Sequence, residues 1–333
     1  MSTWAGPDRA LYVATVDHGL RPEAAGEAMA VAALCARLGI AHQTLIWRPN
    51  HSVAQAEARQ ARHGLLAQWA QSHRLPVVSL GHTRNDRIET FLIRARAGSH
   101  WRGLAGPMPS APSPVWPQGL GVRLARPLLA FARSELRDYL KSCDVTWNED
   151  PSNHAAKYER VRMRRLTELL DGAAQMRIIA IMNRLAELRS AIAASAREAL
   201  RAHVRTERGA GLLEAAVLQR LTAEARLRLI EALVMAAGGS PLPPETGRLK
   251  RLTRRLSEPG GIGQGATLAG AWVKETGLAL CFEPAPARRI STRPPPKANL
   301  GVAPSPLKVR PAGFCLERAQ ALLADPRTAA FGV

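Results

Sequence analysis

The sequence predicts an α/β fold, a Rossmann-like parallel sheet with helices on both faces, followed by a mainly helical carboxyl-terminal domain. Three observations carry this. Short apolar runs at 11–16, 40–47 and 75–80 alternate with helical stretches at 24–38, 52–72 and from Thr83 onward, the β-α-β-α-β-α order that builds parallel sheets. From about residue 171 the composition shifts to Ala, Leu, Arg and Glu at helical spacing. The chain, at 333 residues, is long enough for two domains with separate cores.

Each element has a local reason. Leu11 to Val16 is an apolar, β-branched run, and Asp17, His18, Gly19 and Leu20 form the loop at its carboxyl end. Pro22 stands where a helix favours proline at its start. The Ala-rich helix 24–38 stops at Gly39, a residue suited to the left-handed turn after a helix. A strand over 40–47 and an amphipathic helix over 52–72 follow. Leu75 to Leu80 has no helical period and suits a buried parallel strand. Gly81 turns the chain into a polar helix start, where Asp86 and Glu89, three residues apart, share one face. His82 sits at the strand tip, beside the crevice where open α/β sheets bind ligands. Residues 107–120, rich in Pro, predict a loop over the site. A strand over 122–129, a helix over 132–142, a turn-rich corner over 147–153 and an Arg-dense helix from Arg160 complete the first part. Residues 171–208 predict a linker helix and 238–244 a loop. Runs 267–272 and 278–282 predict a β-hairpin. The Pro- and Arg-rich stretch from 284 shows no period. The domains so predicted are 1–170, the linker 171–208, a small helical domain ending in the hairpin over 209–283, and a Pro- and Arg-rich tail over 284–333.

Lys plus Arg number 46 against 27 Asp plus Glu, a formal charge of +19. Such a surplus suits a polyanionic partner, and its Arg-rich character suits phosphate. No apolar run approaches the roughly 18 residues of a membrane span, and no secretion signal is visible at the amino terminus. Cys35, Cys143, Cys281 and Cys315 are scattered without metal or redox spacing, as expected of reduced thiols in a cytoplasmic protein.

His-Thr-x-x-Asp-x-x-Glu-Thr (82–90) resembles the second signature of the tRNA(Ile)-lysidine synthetases, members of the PP-loop ATP pyrophosphatase group. Val-Asp-His-Gly-Leu-Arg-Pro-Glu (16–23), Ala-Arg-Gln-Ala-Arg-His (58–63), Gly-Leu-Ala-Gly (103–106), Arg-Pro-Leu-Leu (126–129) and Asp-Pro-Ser-Asn (150–153) follow in that family's order and spacing. The resemblance implies an ATP-dependent ligase. ATP adenylates the wobble cytidine of a tRNA(Ile) with a CAU anticodon, and the side-chain amine of free L-lysine displaces AMP to give lysidine. It implies ATP and Mg²⁺, no membrane partner, and admits a homodimer. Asp86 and Glu89 are then expected to hold metal or lysine, with Asp86 as the metal ligand. His82 and Arg59 join them as catalytic residues, Asp17, His18 and Arg62 bind nucleotide, and Arg126, Arg133, Arg160, Arg162 and Arg165 contact tRNA. Rival readings are a PP-loop tRNA cytidine thiolase, which would want paired cysteines, and a tRNA-binding remnant without activity.

The sequence departs from the family pattern in two places. Asn85 and Arg87 flank Asp86 where the family usually has a second acid and a Gln. The Ser-Gly-Gly-x-Asp-Ser loop, expected after a strand ahead of residue 11, is absent from the 333 residues. That predicts a chain without the backbone cradle for pyrophosphate. It further predicts that strands 11–16 and 75–80 either stand one strand apart in a poorly folded chain or close up and pair directly.

Overall fold

Residues 10–19, 23–49, 55–147, 159–240, 242–258, 260–286 and 313–324 are described by a computed structural model of the chain. In chain order the elements are β1 (Tyr12–Asp17), α1 (Glu23–Arg37), β2 (Ala41–Ile46), α2 (Gln55–Ser72), β3 (Val77–Ser79), α3 (Arg84–Arg96), α4 (Trp101–Leu104), β4 (Ser110–Pro112), β5 (Arg123–Ala125), α5 (Arg133–Ser142) and α6 (Glu159–Leu169). The long helix α7 (Gly172–His203) leads into β6 (Val204–Glu207), β7 (Ala210–Glu214), α8 (Val217–Arg220), α9 (Ala223–Gly238), α10 (Thr246–Leu256), β8 (Ala266–Leu268), β9 (Ala271–Thr276), β10 (Ala279–Pro284) and α11 (Leu316–Ala324). Two compact units result, Met1–Arg84 with Pro112–Lys157, and Asn85–Ala111 with Tyr158–Val333. The expected boundary at 170 is not where they divide. Ile88 of α3 is buried against Ile179 and Met182 of α7, and this apolar contact ties residues 85–111 to the later helices.

In the first unit β1 and β2 pair in parallel, Tyr12 opposite Ala41 through Asp17 opposite Ile46. β3 and β5 pair in parallel, Val77 opposite Arg123 and Ser79 opposite Ala125. These are two separate sheets, β1-β2 and β3-β5-β4, rather than one. Of the two expected arrangements, direct pairing of the strands 11–16 and 75–80 is therefore not formed. A shared core accounts for their staying in place: Leu66 and Ala70 of α2 pack with Val78, Leu80, Val122 and Leu124, and Ala14, Val16 and Leu45 lie against the same cluster. Buried apolar area of this kind contributes about 25 cal/mol per Å² irrespective of strand pairing, so one helix can anchor both sheets.

The second unit is built on α7 and α9. Asp171 caps α7, its carboxylate accepting from the Ala174 N–H at 2.6 Å, and Thr222 caps α9 in the same way. Residues 225 and 227–237 of α9 are all buried, so this helix is apolar nearly all round. It is enclosed by α7, α10, α11 and a five-stranded antiparallel sheet of order β6-β7-β10-β9-β8. That sheet corrects the expectation of a single hairpin. The run 267–272 breaks at Ala269 and Gly270, both at positive φ, into β8 and β9. β6 and β7 stand where the end of the linker helix and the start of a helical domain were expected, because Arg208 and Gly209 at positive φ turn the chain back on itself.

Candidate functional site

α3 carries Asp86 in its first turn and Arg94 and Arg96 in its last, charges that suit the two ends of the helix dipole. Its apolar residues Ile88, Phe91 and Leu92 face α7. That orientation carries Asp86 and Glu89 toward α6. Arg160 donates from Nη2 to Asp86 Oδ1 at 2.7 Å and from Nε to Glu89 Oε2 at 3.0 Å. Arg164, one helical turn on, donates from Nε to Glu89 Oε1 at 3.1 Å. Glu89 is fully buried, Asp86 is 14 % exposed, and the two arginines are 46 % and 22 % exposed. Burial works against the charge on Arg160, but Asp86 and Glu89 outweigh it and raise its pKa. The structure thus joins two expected catalytic carboxylates to an arginine expected on the tRNA. Arg162 and Arg165 lie on the exposed side of the same helix.

This arrangement bears on the expected metal. Two carboxylates face two guanidiniums, and Asp86 Oδ1 already accepts from Arg160. Hard cations want several oxygen ligands, and among the described residues no three His, Cys, Asp or Glu side chains gather for a metal. As folded, the Asp86 pair does not fit Mg²⁺.

The Gly-Leu-Ala-Gly segment lies next to α3 in sequence and is held from several sides. Arg94 Nη1 donates to the Gly103 carbonyl at 2.6 Å. The buried Arg189 of α7 donates to the carbonyls of Arg102 and Gly106 at 3.2 and 3.1 Å. Gly106 has φ +67°, and a Cβ there would lie 2.3 Å from Met182 Cε. Arg102 in turn approaches Glu231 at 3.8 Å, and Arg228 pairs with the same carboxylate at 2.5 Å.

In the first unit Asp17 and His18 end β1, as expected. Asp17 accepts from the Gly19 N–H at 2.8 Å and from Arg48 Nη2 at 2.8 Å. Those two bonds, Arg48 first, hold its carboxyl below the usual carboxylate range. His18 meets the Trp47 ring edge-on at 5.8 Å. Burial, with Arg62 nearby, holds His18 below the usual imidazole value against the pull of Asp17. Arg59 and Arg62 both stand on the exposed side of α2, while His63, the next residue, is buried. His82, which follows β3 in sequence, is half-buried. Arg133 begins α5 and is half-buried. Arg126 is only 2 % exposed; the polypeptide around it already covers the surface that a tRNA phosphate would need, so its expected role does not fit its position. The turn-rich corner reaches past Trp147 into residues outside those described.

Sequence reasoning missed Arg48, Arg164 and Arg189. Arg48 reaches Asp17 only through the parallel register of β1 and β2, which no local pattern announces. Arg164 stood in a recognised Arg cluster, but its partner is 75 positions away. Arg189 is one arginine among many on an amphipathic helix, and nothing local marks it as buried.

The chain matches a family model described as a PP-loop domain over residues 3–170. It is similar to a tRNA(Ile)-lysidine synthase of Hyphomonas neptunium, 37 % identical over 276 residues, 83 % of this chain and 74 % of the relative. A tRNA(Ile)-lysidine synthase of a Bradyrhizobium species is 36 % identical over 312 residues, 86 % of this chain and 85 % of the relative. One from Ruegeria pomeroyi is 41 % identical over 244 residues, 70 % of this chain and 55 % of the relative. Among solved structures, a U34-tRNA thiolase of Methanococcus maripaludis aligns with TM-score 0.46 and 14 % identity over 54 % of this chain and 63 % of that one.

Proposed function

Because the chain belongs to the tRNA(Ile)-lysidine synthase family and carries its PP-loop domain, we propose that it joins lysine to the wobble cytidine of a tRNA(Ile) with a CAU anticodon, using ATP. The cytidine is first adenylated and pyrophosphate leaves. The lysine side-chain amine then forms the C–N bond as the C–O bond to AMP breaks, and the amine's proton is lost.

The observation that carries the reading is the Asp86–Arg160–Glu89 constellation on α3 and α6. An amino-acid substrate brings both an ammonium and a carboxylate, and an Asp beside an Arg offers one partner to each. Asp86, the more exposed acid, is the residue we assign to the ammonium. Glu89, sealed from water, fixes Arg160 and Arg164 so that the groups facing substrate are in place beforehand. The nucleotide falls to Asp17, His18 and Arg62 of the first unit, with Arg48 locking the Asp17 loop. His82 and Arg59 keep their assignments as further residues of the reaction. The 333 residues hold no Ser-Gly-Gly-x-Asp-Ser segment to cradle pyrophosphate. The location we infer is cytoplasmic.

The test is AMP release that requires both tRNA(Ile) and lysine, by the chain alone and with a Ser-Gly-Gly-x-Asp-Ser strand and loop joined ahead of residue 11. Asp86→Asn is expected to raise KM for lysine by at least about tenfold, the factor that corresponds to 1.4 kcal/mol, a typical charge-assisted bond. Unchanged lysine saturation in Asp86→Asn would show that the amino acid binds elsewhere. Release that is indifferent to lysine in both forms would reject the reaction.

A further inference from the structure

α10 is divided into two chemically opposite halves. Leu249, Leu252, Thr253 and Leu256 are buried in the core of the second unit. Arg248, Lys250, Arg251, Arg254 and Arg255 are all exposed. At 100° per residue those five fan across the whole side opposite the leucines. No acid lies within the helix, and the one at its foot, Glu245, pairs with Arg248 at 3.1 Å. Arg255, about 20° round the helix from Arg248 and so on the same flank, donates from Nε to the Gly261 carbonyl at 2.8 Å. Lys250, Arg254 and Arg251 make up the rest of the fan.

We propose that this face of α10 is an RNA-backbone contact, outside the constellation that handles lysine. The inference rests on the lysidine reading for which RNA it meets. Eleven residues span about 16 Å at 1.5 Å per residue. Duplex nucleic acid presents one negative charge per roughly 1.7 Å of axis, so a row of cations of this length meets several phosphates at once. Four of the five are Arg, whose planar fork matches a phosphate. The alternative polyanion, an acidic membrane, is disfavoured by the same pattern. Helices that lie on membranes set Trp, Phe or Leu beside their cations to enter the lipid, and every leucine of α10 faces inward. RNA stems are bound largely through phosphate and shape, which asks for cations without accompanying apolar side chains.

The experiment measures binding of the full chain to unmodified tRNA(Ile) and to an unrelated RNA hairpin across a salt series. The triple variant Lys250→Gln, Arg251→Gln, Arg254→Gln is set against Arg177→Gln, Arg201→Gln, Arg205→Gln, exposed arginines of the same unit with equal charge loss. The first is expected to flatten the log–log salt slope by about 2, since each phosphate contact contributes roughly 0.7–0.9. The control is expected to shift affinity slightly and leave the slope. KM for tRNA should rise in the α10 variant with kcat unchanged, and returning Lys at 251 and 254 should restore most of the slope. Equal slopes for the two triples, with native helical signal in both, would overturn the assignment, as would loss of phosphatidylserine-vesicle binding with RNA binding intact. A wild-type chain that binds the hairpin through α10 but shows no lysine-dependent reaction on tRNA(Ile) would sink the lysidine reading and leave this face standing.

Discussion

Replacing Glu89 by Gln tests whether the acid is a structural keystone as well as part of the site. The change is nearly isosteric, so it removes charge and leaves volume. Glu89 has no exposed surface and receives Nε–H from both Arg160 and Arg164 at 3.0 and 3.1 Å. Removing one partner of a fully buried ion pair costs about 3–5 kcal/mol. Here Arg160 is 46 % and Arg164 22 % exposed, so water recovers part of their hydration, and about 2–3 kcal/mol is the better figure. Urea unfolding followed by helical circular dichroism reads this directly. With a slope of about 1–3 kcal/mol per M, the midpoint should fall by roughly 1 M. Combining Glu89→Gln with Arg164→Gln should recover part of the loss, because the second guanidinium no longer faces a neutral amide, and such neighbours couple by about 0.5–3 kcal/mol. A Glu89→Gln midpoint equal to wild type would refute the reasoning, as would strict additivity of the pair.

Two further outcomes follow from the geometry. Arg48 and the Gly19 N–H lower the folded-state pKa of Asp17, so its stabilising contribution is complete above the unfolded value of about 3.9 and is lost as pH falls from there through the lower folded value; acid titration should make the gap between wild type and Asp17→Asn begin to narrow at about pH 4 and close below the folded value, and a stability gap independent of pH would contradict the pairing. Gly106→Ala should destabilise by at least about 1–2 kcal/mol, since its φ of +67° is left-handed and its Cβ would meet Met182 Cε; Met182→Ala in the same chain should relieve the clash but not the backbone cost, so a thermal midpoint fully restored to that of Met182→Ala alone would count against it.

The alternation of apolar runs and helices was legible in the first unit because each element is decided locally. β1, α1, β2 and α2 follow from apolar runs punctuated by Pro22 and Gly39. The second unit was less so. Its five-stranded sheet depends on turns at Arg208–Gly209 and Ala269–Gly270, where a non-glycine residue shares the positive φ with its glycine, so a single Gly is the only local mark of each reversal. The site divides along the same line. Asp86, Glu89, Asp17 and His18 were marked by spacing and by strand ends. The arginines that hold them were not, because Arg48 comes from across a parallel crossover and Arg164 from 75 residues downstream. In a chain with 46 basic side chains against 27 acidic, charge alone cannot tell an ion-pairing arginine from a phosphate-binding one. Burial of the partner carboxylate does.

That distinction bears on what the i, i+3 spacing of Asp86 and Glu89 is for. Both acids lie on one face of α3, and Arg160 bridges them. The second arginine, Arg164, is bound to Glu89 at 3.1 Å. If both acids served only the fold, burying both would satisfy the arginines equally well. If both served only the substrate, neither would be sealed. Their unequal exposure, none for Glu89 and 14 % for Asp86, fits a division in which the inner acid fixes the guanidiniums and the outer one keeps a face toward the solvent side. Stability and catalysis should then separate by position. Glu89→Gln should lose folding free energy first. Asp86→Asn leaves Arg160 bound to Glu89 and within reach of water, so it should cost no more than about 1 kcal/mol of stability, the range of a solvent-accessible pair, while lysine saturation suffers. An Asp86→Asn chain that unfolds as readily as Glu89→Gln would show that the two carboxylates act as one structural unit and that the ammonium is held elsewhere.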